Sequence, residues 1–156
     1  MNDLLFTLTL ITALGSGLVA GMLFVFSSSV MKALNRLPPA QGIAAMQSIN
    51  VVVINPWFLG AFFGTAAACV LVVVFSLLRW NEAEAVYLLS GGLAYLIGTV
   101  LVTMAFNVPR NEALAAADPQ SDDGARLWAG YVTSWTAWNH ERTAAALAAA
   151  VLLTLA

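Results

Sequence analysis

This sequence has few charged residues. Charged residues make up 9% of its 156 residues and hydrophobic residues 61%, whereas a soluble domain carries roughly 25% charge. Together with a mean hydropathy of +0.86, this composition predicts an all-α integral membrane protein of one domain. The formal net charge of −2 gives no basic surface of the kind that a nucleic-acid-binding protein needs.

Metal-binding and nucleotide-binding motifs are also missing. Cys69 is the single cysteine and His140 the single histidine, so the chain cannot build a disulfide framework or a zinc or iron site alone. No glycine-rich loop follows a strand, as a nucleotide site would require. We therefore expect no metal and no cofactor, and a bound metal, or a haem with His140 as its axial ligand, is the alternative left open.

Long apolar runs are what the sequence has instead. A helix needs about 20 residues to cross a bilayer core about 30 Å thick, and four runs of at least that length occur at about 4–30, 56–78, 85–106 and 125–156. Their short connections predict a four-transmembrane-helix up-and-down bundle. The chain is therefore expected to be a multi-pass membrane protein, located in the inner membrane if it is bacterial.

Two connections carry structure of their own. Pro38 and Pro39 end any helix carried through from the first span. Apolar residues then recur every three or four positions over about 39–50, which predicts a short uncharged helix at the interface or a lid over a cavity. Pro109 is expected to end the third span, which leaves a polar loop over 107–124.

The predicted connections differ in their number of lysine and arginine residues, and cytoplasmic loops carry an excess of these residues. The first and third connections are the basic ones, and the second has Arg79 alone. This predicts that both termini lie outside. The basic residues of the first and third connections are Lys32, Arg36, Arg110 and Arg126.

Two glycine pairs have the small-xxx-small spacing that lets membrane helices approach closely. They are Gly17 with Gly21, and Gly60 with Gly64. The spacing serves packing within one bundle or a homodimer equally well, and the sequence leaves both open.

The stretch from Trp128 to Arg142 holds three of the five tryptophans and the only histidine. About fourteen residues follow it, or roughly 21 Å of helix at about 1.5 Å per residue, so a crossing must begin before Arg142. Polar and ionisable groups would then lie inside the membrane. Such groups usually face a protein-lined cavity and mark a functional site.

At about 100° per residue, the aromatic and polar residues of this stretch share one broad face, and His140 falls nearly opposite Arg142. Either the helix is distorted there, or His140 has different neighbours from Arg142. A plain structural role, as a hydrogen-bonded core histidine, is a further interpretation. The residues that share the broad face are Trp128, Tyr131, Trp135, Trp138, Asn139 and Arg142.

Polar residues of the other spans are expected at the same end of the bundle. Ser27 ends the first span, Asn55 starts the second, and Asn107 and Asn111 follow the third. The serine either bonds back to its own helix or faces the cavity. An aromatic-walled pocket with a few convergent polar groups suits a flat, apolar, phenolic or quinonoid molecule arriving from the lipid.

Taken together, these segments resemble the anthrone oxygenase family of small four-span membrane proteins. The resemblance covers nearly the whole chain and rests on FSSSVMKALNRLPPAQGIAAMQSIN at 26–50, NP at 55–56, NVPRN at 107–111 and W-x2-Y-x3-W-x2-WNHER at 128–142. It implies a four-helix membrane bundle and, for the fungal enzymes, oxidation of anthrones to anthraquinones by O2 without a recognised cofactor. The family's motif residues correspond to Asn107, Pro109, Asn111, Trp138, Asn139, His140 and Arg142.

If that activity carries over, His140 would act as the general base. Arg142 and Asn139 would then stabilise the developing oxyanion. A non-catalytic protein binding a quinone, lipid or haem in the same pocket is one alternative. A small transporter is another, disfavoured because the intramembrane charges are confined to one end. The expected substrate-binding residues are Trp128, Tyr131, Trp135, Trp138, Asn107, Asn111, Asn55 and Ser27.

Overall fold

The protein is described by a computed structural model that covers residues 3–156 and contains only helices and short connections in that range. The all-helical prediction is therefore confirmed. The five helices of the described chain are α1 (Asp3–Leu34), α2 (Pro39–Val52), α3 (Pro56–Leu78), α4 (Ala85–Ala115) and α5 (Asp122–Thr154).

Three of these helices, α1, α3 and α4, are long and apolar enough to cross a membrane. Their mean hydropathies are 2.0, 2.5 and 1.9 over the most apolar window. The longest helix, α5, has 33 residues but is not among them. Its first turn is acidic, and the polar residues from Asn139 to Arg142 interrupt its apolar half.

Local side-chain chemistry sets where the helices begin. At α3, the Asn55 side chain accepts hydrogen bonds from the backbone N–H groups of Trp57 and Phe58, each at 3.0 Å, and Pro56 occupies the first turn. Such a cap satisfies donors that the first turn leaves unpaired. At α5, Ser121 accepts from the Gly124 N–H at 2.9 Å, and two aspartates in the first turn complement the helix dipole.

The prediction that Pro109 breaks the helix of the third span is wrong, because α4 continues through this proline to Ala115. A proline removes one backbone donor and clashes with the carbonyl group four residues earlier. The turn just before it, Thr103–Asn107, is π-helical and so relieves the α-helical geometry that produces this clash. The predicted polar loop 107–124 is thereby reduced to the connection 116–121.

Three buried layers stack along the bundle, and α5 contributes to each of them. The first contains Leu5, Val72, Leu88 and Leu153, and the second contains Val19, Phe62, Tyr95 and Ala146. The third lies at the α2 end of the molecule and is lined by Met31, Ile43, Met46, Leu114, Trp128, Tyr131 and Trp135.

Close helix packing uses different glycines from the two predicted pairs. A Cβ atom on Gly98 of α4 would lie 2.4 Å from the Cβ of Ala145 on α5. At Gly21, Gly60 and Gly64 an added Cβ would meet nothing within 4 Å. These three glycines are therefore exposed rather than packed in the bundle, and the homodimer through them stays a prediction.

Replacing Gly98 by alanine is expected to destabilise the bundle by about 1–3 kcal/mol, because the new methyl group overpacks a rigid contact. Gly64→Ala is the matched control. It adds the same methyl group to a membrane helix in open space and is expected to be neutral or slightly stabilising. Thermal unfolding of the detergent-solubilised variants measures both effects. Equal midpoints for the two variants would show that α4 and α5 do not pack as closely as described.

Candidate functional site

One face of α5 buries a stack of aromatic and polar side chains. The Trp128 and Tyr131 ring centroids are 5.6 Å apart, and those of Tyr131 and Trp135 are 6.2 Å apart. Asn139 and Arg142 continue this face, at 0% and 6% exposure. We call the following residues the polar–aromatic cluster: Ser27, Thr103, Asn107, Asn111, Trp128, Tyr131, Trp135, Asn139 and Arg142.

Asn139 connects α5 to α1 within this cluster. Its Nδ2 donates to the backbone oxygen of Leu23 at 2.7 Å and to the Ser27 hydroxyl oxygen at 2.5 Å. Its Oδ1 accepts from Nη2 of Arg142 at 2.5 Å. Of the two roles considered for Ser27, the structure therefore shows the one in which this serine faces the cluster.

Arg142 is a buried cation without an acidic partner. Nη1 donates to the Thr103 hydroxyl oxygen at 3.2 Å, and the guanidinium carbon lies 5.3 Å from the centroid of the Trp135 ring. Nε is buried and has no acceptor. The ion pair found among residues 3–156 joins Arg126 to Asp123 on the exposed surface. A buried charge is costly when no opposite charge compensates it.

Two asparagines of α4 hold the aromatic residues in place. Oδ1 of Asn111 accepts from the Tyr131 hydroxyl at 2.9 Å and from the Trp135 indole N–H at 2.8 Å. Asn107 donates from Nδ2 to the backbone oxygen of Trp135 at 3.2 Å. Its own Oδ1 is buried and unpaired, which is unusual for a buried polar atom in a native protein.

The polar residues that α4 turns toward α5 recur every four positions: Thr99, Thr103, Asn107 and Asn111. In a regular α-helix each four-residue step overshoots a full turn by about 40°, so three such steps would carry the last residue well away from the first. Most of this stretch of α4 is π-helical, over Ala94–Leu101 and Thr103–Asn107. Because a π-turn closes its hydrogen bonds over one more residue than an α-turn, the four positions stay in line.

Helix α2 covers the aromatic half of the cluster. Ile43 and Met46 are buried against the aromatic rings, and a Cβ on Gly42 would lie 2.8 Å from Cζ2 of Trp128. Gln47 donates from Nε2 to the backbone oxygens of Leu114 and Ala117 at 2.9 and 3.0 Å. The short helix thus occupies the position expected for a lid, and a hydrogen-bonded side chain fastens it to the end of α4.

Two surface depressions of the described chain lie away from the cluster. One, of about 260 Å³, is at the end of α5, beside Ala150 and Thr154. The other, of about 290 Å³, lies beside the 116–121 connection, next to Asp118 and Ser121. At the cluster itself, the rings of Trp128, Tyr131 and Trp135 pack against one another and against Ile43 and Met46 of α2.

Three predicted site residues lie outside the cluster. His140 is exposed, and α5 is continuous there, so His140 has different neighbours from Arg142, the second of the two alternatives above. Trp138 is half-buried and stacks on Phe106, with ring centroids 3.6 Å apart. Asn55 caps α3. The predicted residues that the structure does bring together are Ser27, Asn107, Asn111, Trp128, Tyr131, Trp135, Asn139 and Arg142.

Thr103 was not predicted as a site residue, although it bonds directly to the guanidinium. Threonine is common in membrane helices, where it usually bonds to its own backbone, and Thr103 does so as well, at 2.6 Å to the Thr99 oxygen. The one sequence signal that marks it is the four-residue spacing that it shares with the two asparagines.

Residues 56–152, more than half of the chain, match a protein-family model whose description is "Anthrone oxygenase". The matched range contains α3, α4 and most of α5, and with them every cluster residue except Ser27. Neither the curated proteins nor the solved structures give a match to this chain.

Proposed function

Because the chain belongs to the anthrone oxygenase family, we propose that it is a membrane-embedded oxygenase that oxidises a flat, apolar, phenolic compound with O2. The reaction takes place at the polar–aromatic cluster. The observation that carries this proposal is the Arg142 guanidinium, which is buried against Trp135 and Asn139 with no acid to neutralise it.

The proposal includes a fourth membrane span in the second half of α5. Ala145 packs against Gly98 and Leu153 against Gly91 of α4, so this half runs beside a span. Its exposed residues from Ala144 to Leu155 are almost all apolar. The ends of α1 and α4 that carry Lys32 and Arg110 then lie inside and both termini lie outside, as the basic residues predict.

The cluster lies near the level at which the exposed surface changes from apolar to polar. On α1 the change falls between Val25 and Ser29, and on α5 it falls between Ala144 and Glu141. Trp57, 89% exposed at the start of α3, suits a membrane interface. We place the cluster just inside the membrane at this boundary, because α5 must enter the membrane before Arg142 to leave enough residues for a crossing. An amphiphilic substrate can arrive there from the lipid with its polar end toward water.

The chemistry required of the site is modest. Loss of a proton from the methylene carbon of an anthrone gives an enolate with its negative charge largely on oxygen. The carbon then adds O2, and the resulting peroxide anion takes back one proton to give a hydroperoxide. Loss of water leaves a second carbonyl group, so one O2 is consumed for each quinone and each water formed. Arg142 and Asn139 supply the donors that stabilise the oxyanion, and Trp135 holds the flat ring by stacking.

We do not assign the proton-accepting role to His140, because it is exposed and lies across α5 from Arg142. His140→Ala is expected to retain more than about a tenth of the wild-type turnover. Loss of a positioned general base typically costs 100-fold or more. Initial rates of oxygen consumption measure the effect, and a hundredfold loss in a correctly folded variant would return the base assignment to His140.

Oxygen uptake by the detergent-purified protein with a simple anthrone tests the proposal, corrected for uptake without protein. Formation of one anthraquinone per O2 consumed is the expected result. An absorbance spectrum and elemental analysis accompany it, because a haem band or stoichiometric metal would contradict cofactor-free chemistry. Tight binding of an anthraquinone without any oxygen uptake would favour the non-catalytic quinone-binding alternative.

A further inference from the structure

The positive charge of Arg142 is not neutralised by any group that faces it in the described chain. The α4 side chain bonded to the guanidinium is the neutral Thr103 hydroxyl. Ser27 of α1 and Asn107 of α4 bond to Asn139 and Trp135 beside it and are also neutral, and α2 has no charged residue at all. On α5 itself the polar groups are the Asn139 amide and the Tyr131 phenol. All of these are neutral when Tyr131 is protonated, so the site as it stands is short of one negative charge.

The guanidinium is also short of acceptors. It offers five N–H donors in a rigid fork. The acceptors that it meets are Asn139 on Nη2 and Thr103 on Nη1, and its buried Nε–H has none. An anionic oxygen is the group that satisfies both deficiencies at once, because charge-assisted hydrogen bonds are roughly twice as strong as neutral ones.

We propose that the ligand of this site binds already ionised, as a phenolate or enolate whose negative oxygen pairs with the Arg142 guanidinium. The inference rests on the proposed function but goes beyond it. Stabilising a transition state requires the negative charge only during reaction, whereas this proposal places it in the resting complex. The site then selects compounds with an acidic hydroxyl or enol group and rejects ethers of the same shape.

The probe is 2-hydroxyanthraquinone, whose visible band moves to longer wavelength when its hydroxyl ionises. It is already a quinone, so binding is measured without turnover. Bound to the full-length protein in detergent, it is expected to ionise with an apparent pKa at least one unit below that of the free compound in the same detergent. One unit is a tenfold preference for the anion. Its methyl ether cannot ionise and is expected to bind at least tenfold more weakly.

Arg142→Gln is expected to abolish the pKa shift, and Arg142→Lys is expected to retain part of it. Arg110→Gln is the matched control, because Arg110 also lies between α4 and α5 but bonds to Ser134 and Phe106 instead. Its shift is expected to equal that of the wild type. The inference is overturned if the wild type binds the phenol and the ether equally, if it binds neither, or if the shift survives in a folded Arg142→Gln protein.

The wild-type comparison of phenol with ether needs no variant, so a misfolded Arg142→Gln protein does not remove the test. Failure of this inference is also distinguishable from failure of the proposed function. A lowered ligand pKa without oxygen uptake supports the anion site and contradicts the oxygenase. Oxygen uptake with equal binding of phenol and ether supports the oxygenase and contradicts the anion site.

Discussion

Replacing Arg142 by glutamine is expected to lower kcat/KM for anthrone oxidation by about 100-fold to 1,000-fold, the usual cost of removing one oxyanion-stabilising donor. Glutamine keeps an amide donor but loses the charge and the planar fork. The kcat/KM of Arg142→Lys is expected to lie between those of the wild type and Arg142→Gln, because lysine restores the positive charge but not the planar fork of N–H donors. Initial rates of oxygen consumption at several anthrone concentrations measure the change.

The unfolding temperature of Arg142→Gln distinguishes this catalytic role of the arginine from a structural one. An uncompensated buried charge opposes folding, so Arg142→Gln is expected to unfold at the same temperature as the wild type or higher, while its activity falls. Arg110→Gln removes a half-buried arginine of α4 and is expected to keep most of the activity. A parallel loss of activity and stability in Arg142→Gln would show that the arginine supports the bundle rather than the reaction.

Replacing Asn139 by alanine is expected to lower the free energy of unfolding by about 2–3 kcal/mol, since buried partners left without hydrogen bonds each carry a desolvation cost. The variant loses the bonds to the Leu23 oxygen and the Ser27 hydroxyl on α1, and the bond from Arg142. The guanidinium is then left with fewer acceptors than before. Denaturant or thermal unfolding in detergent measures the loss.

Ser27→Ala is the matched control for this effect, because it removes one of those three bonds and leaves the amide and its bond to Leu23 intact. Its cost is expected to be about 1 kcal/mol. If Asn139→Ala cost no more than Ser27→Ala, the amide would not be the group that joins α5 to α1. A drop in oxygen uptake for Asn139→Ala is expected as well, because Arg142 loses the acceptor that orients it.

Much of the candidate site follows from helical periodicity. The rotation of about 100° per residue correctly groups Trp128, Tyr131, Trp135, Asn139 and Arg142 on one buried face and puts His140 on the other side of α5. Trp138, predicted on the same face, is half-buried and stacks on Phe106 instead. Apolar run lengths predict four spans, and three of them, α1, α3 and α4, are found as long apolar helices. Both arguments depend on regular geometry that the sequence alone determines.

The errors arise where neighbouring helices decide the outcome. Proline ends most helices, but the π-turn before Pro109 lets α4 continue. Glycine spacing predicts where a helix can be approached closely. Which glycine contacts a neighbouring helix depends on how the two helices are rotated about their axes. Gly98 is therefore in contact with α5 while Gly60 and Gly64 are exposed.

The geometry of the site depends on how many residues the π-helical turns of α4 contain, and not only on which residues they are. Removing one residue from a helix rotates everything after it by about 100° and shifts it by about 1.5 Å. A deletion of Ala105 would thus either convert the π-turn into an α-turn or carry Asn111 away from the two rings that it holds, although no cluster residue had been replaced. The exposed Ala105 can be substituted without that consequence. In this stretch the number of residues therefore matters more to the site than the identity of the exposed ones.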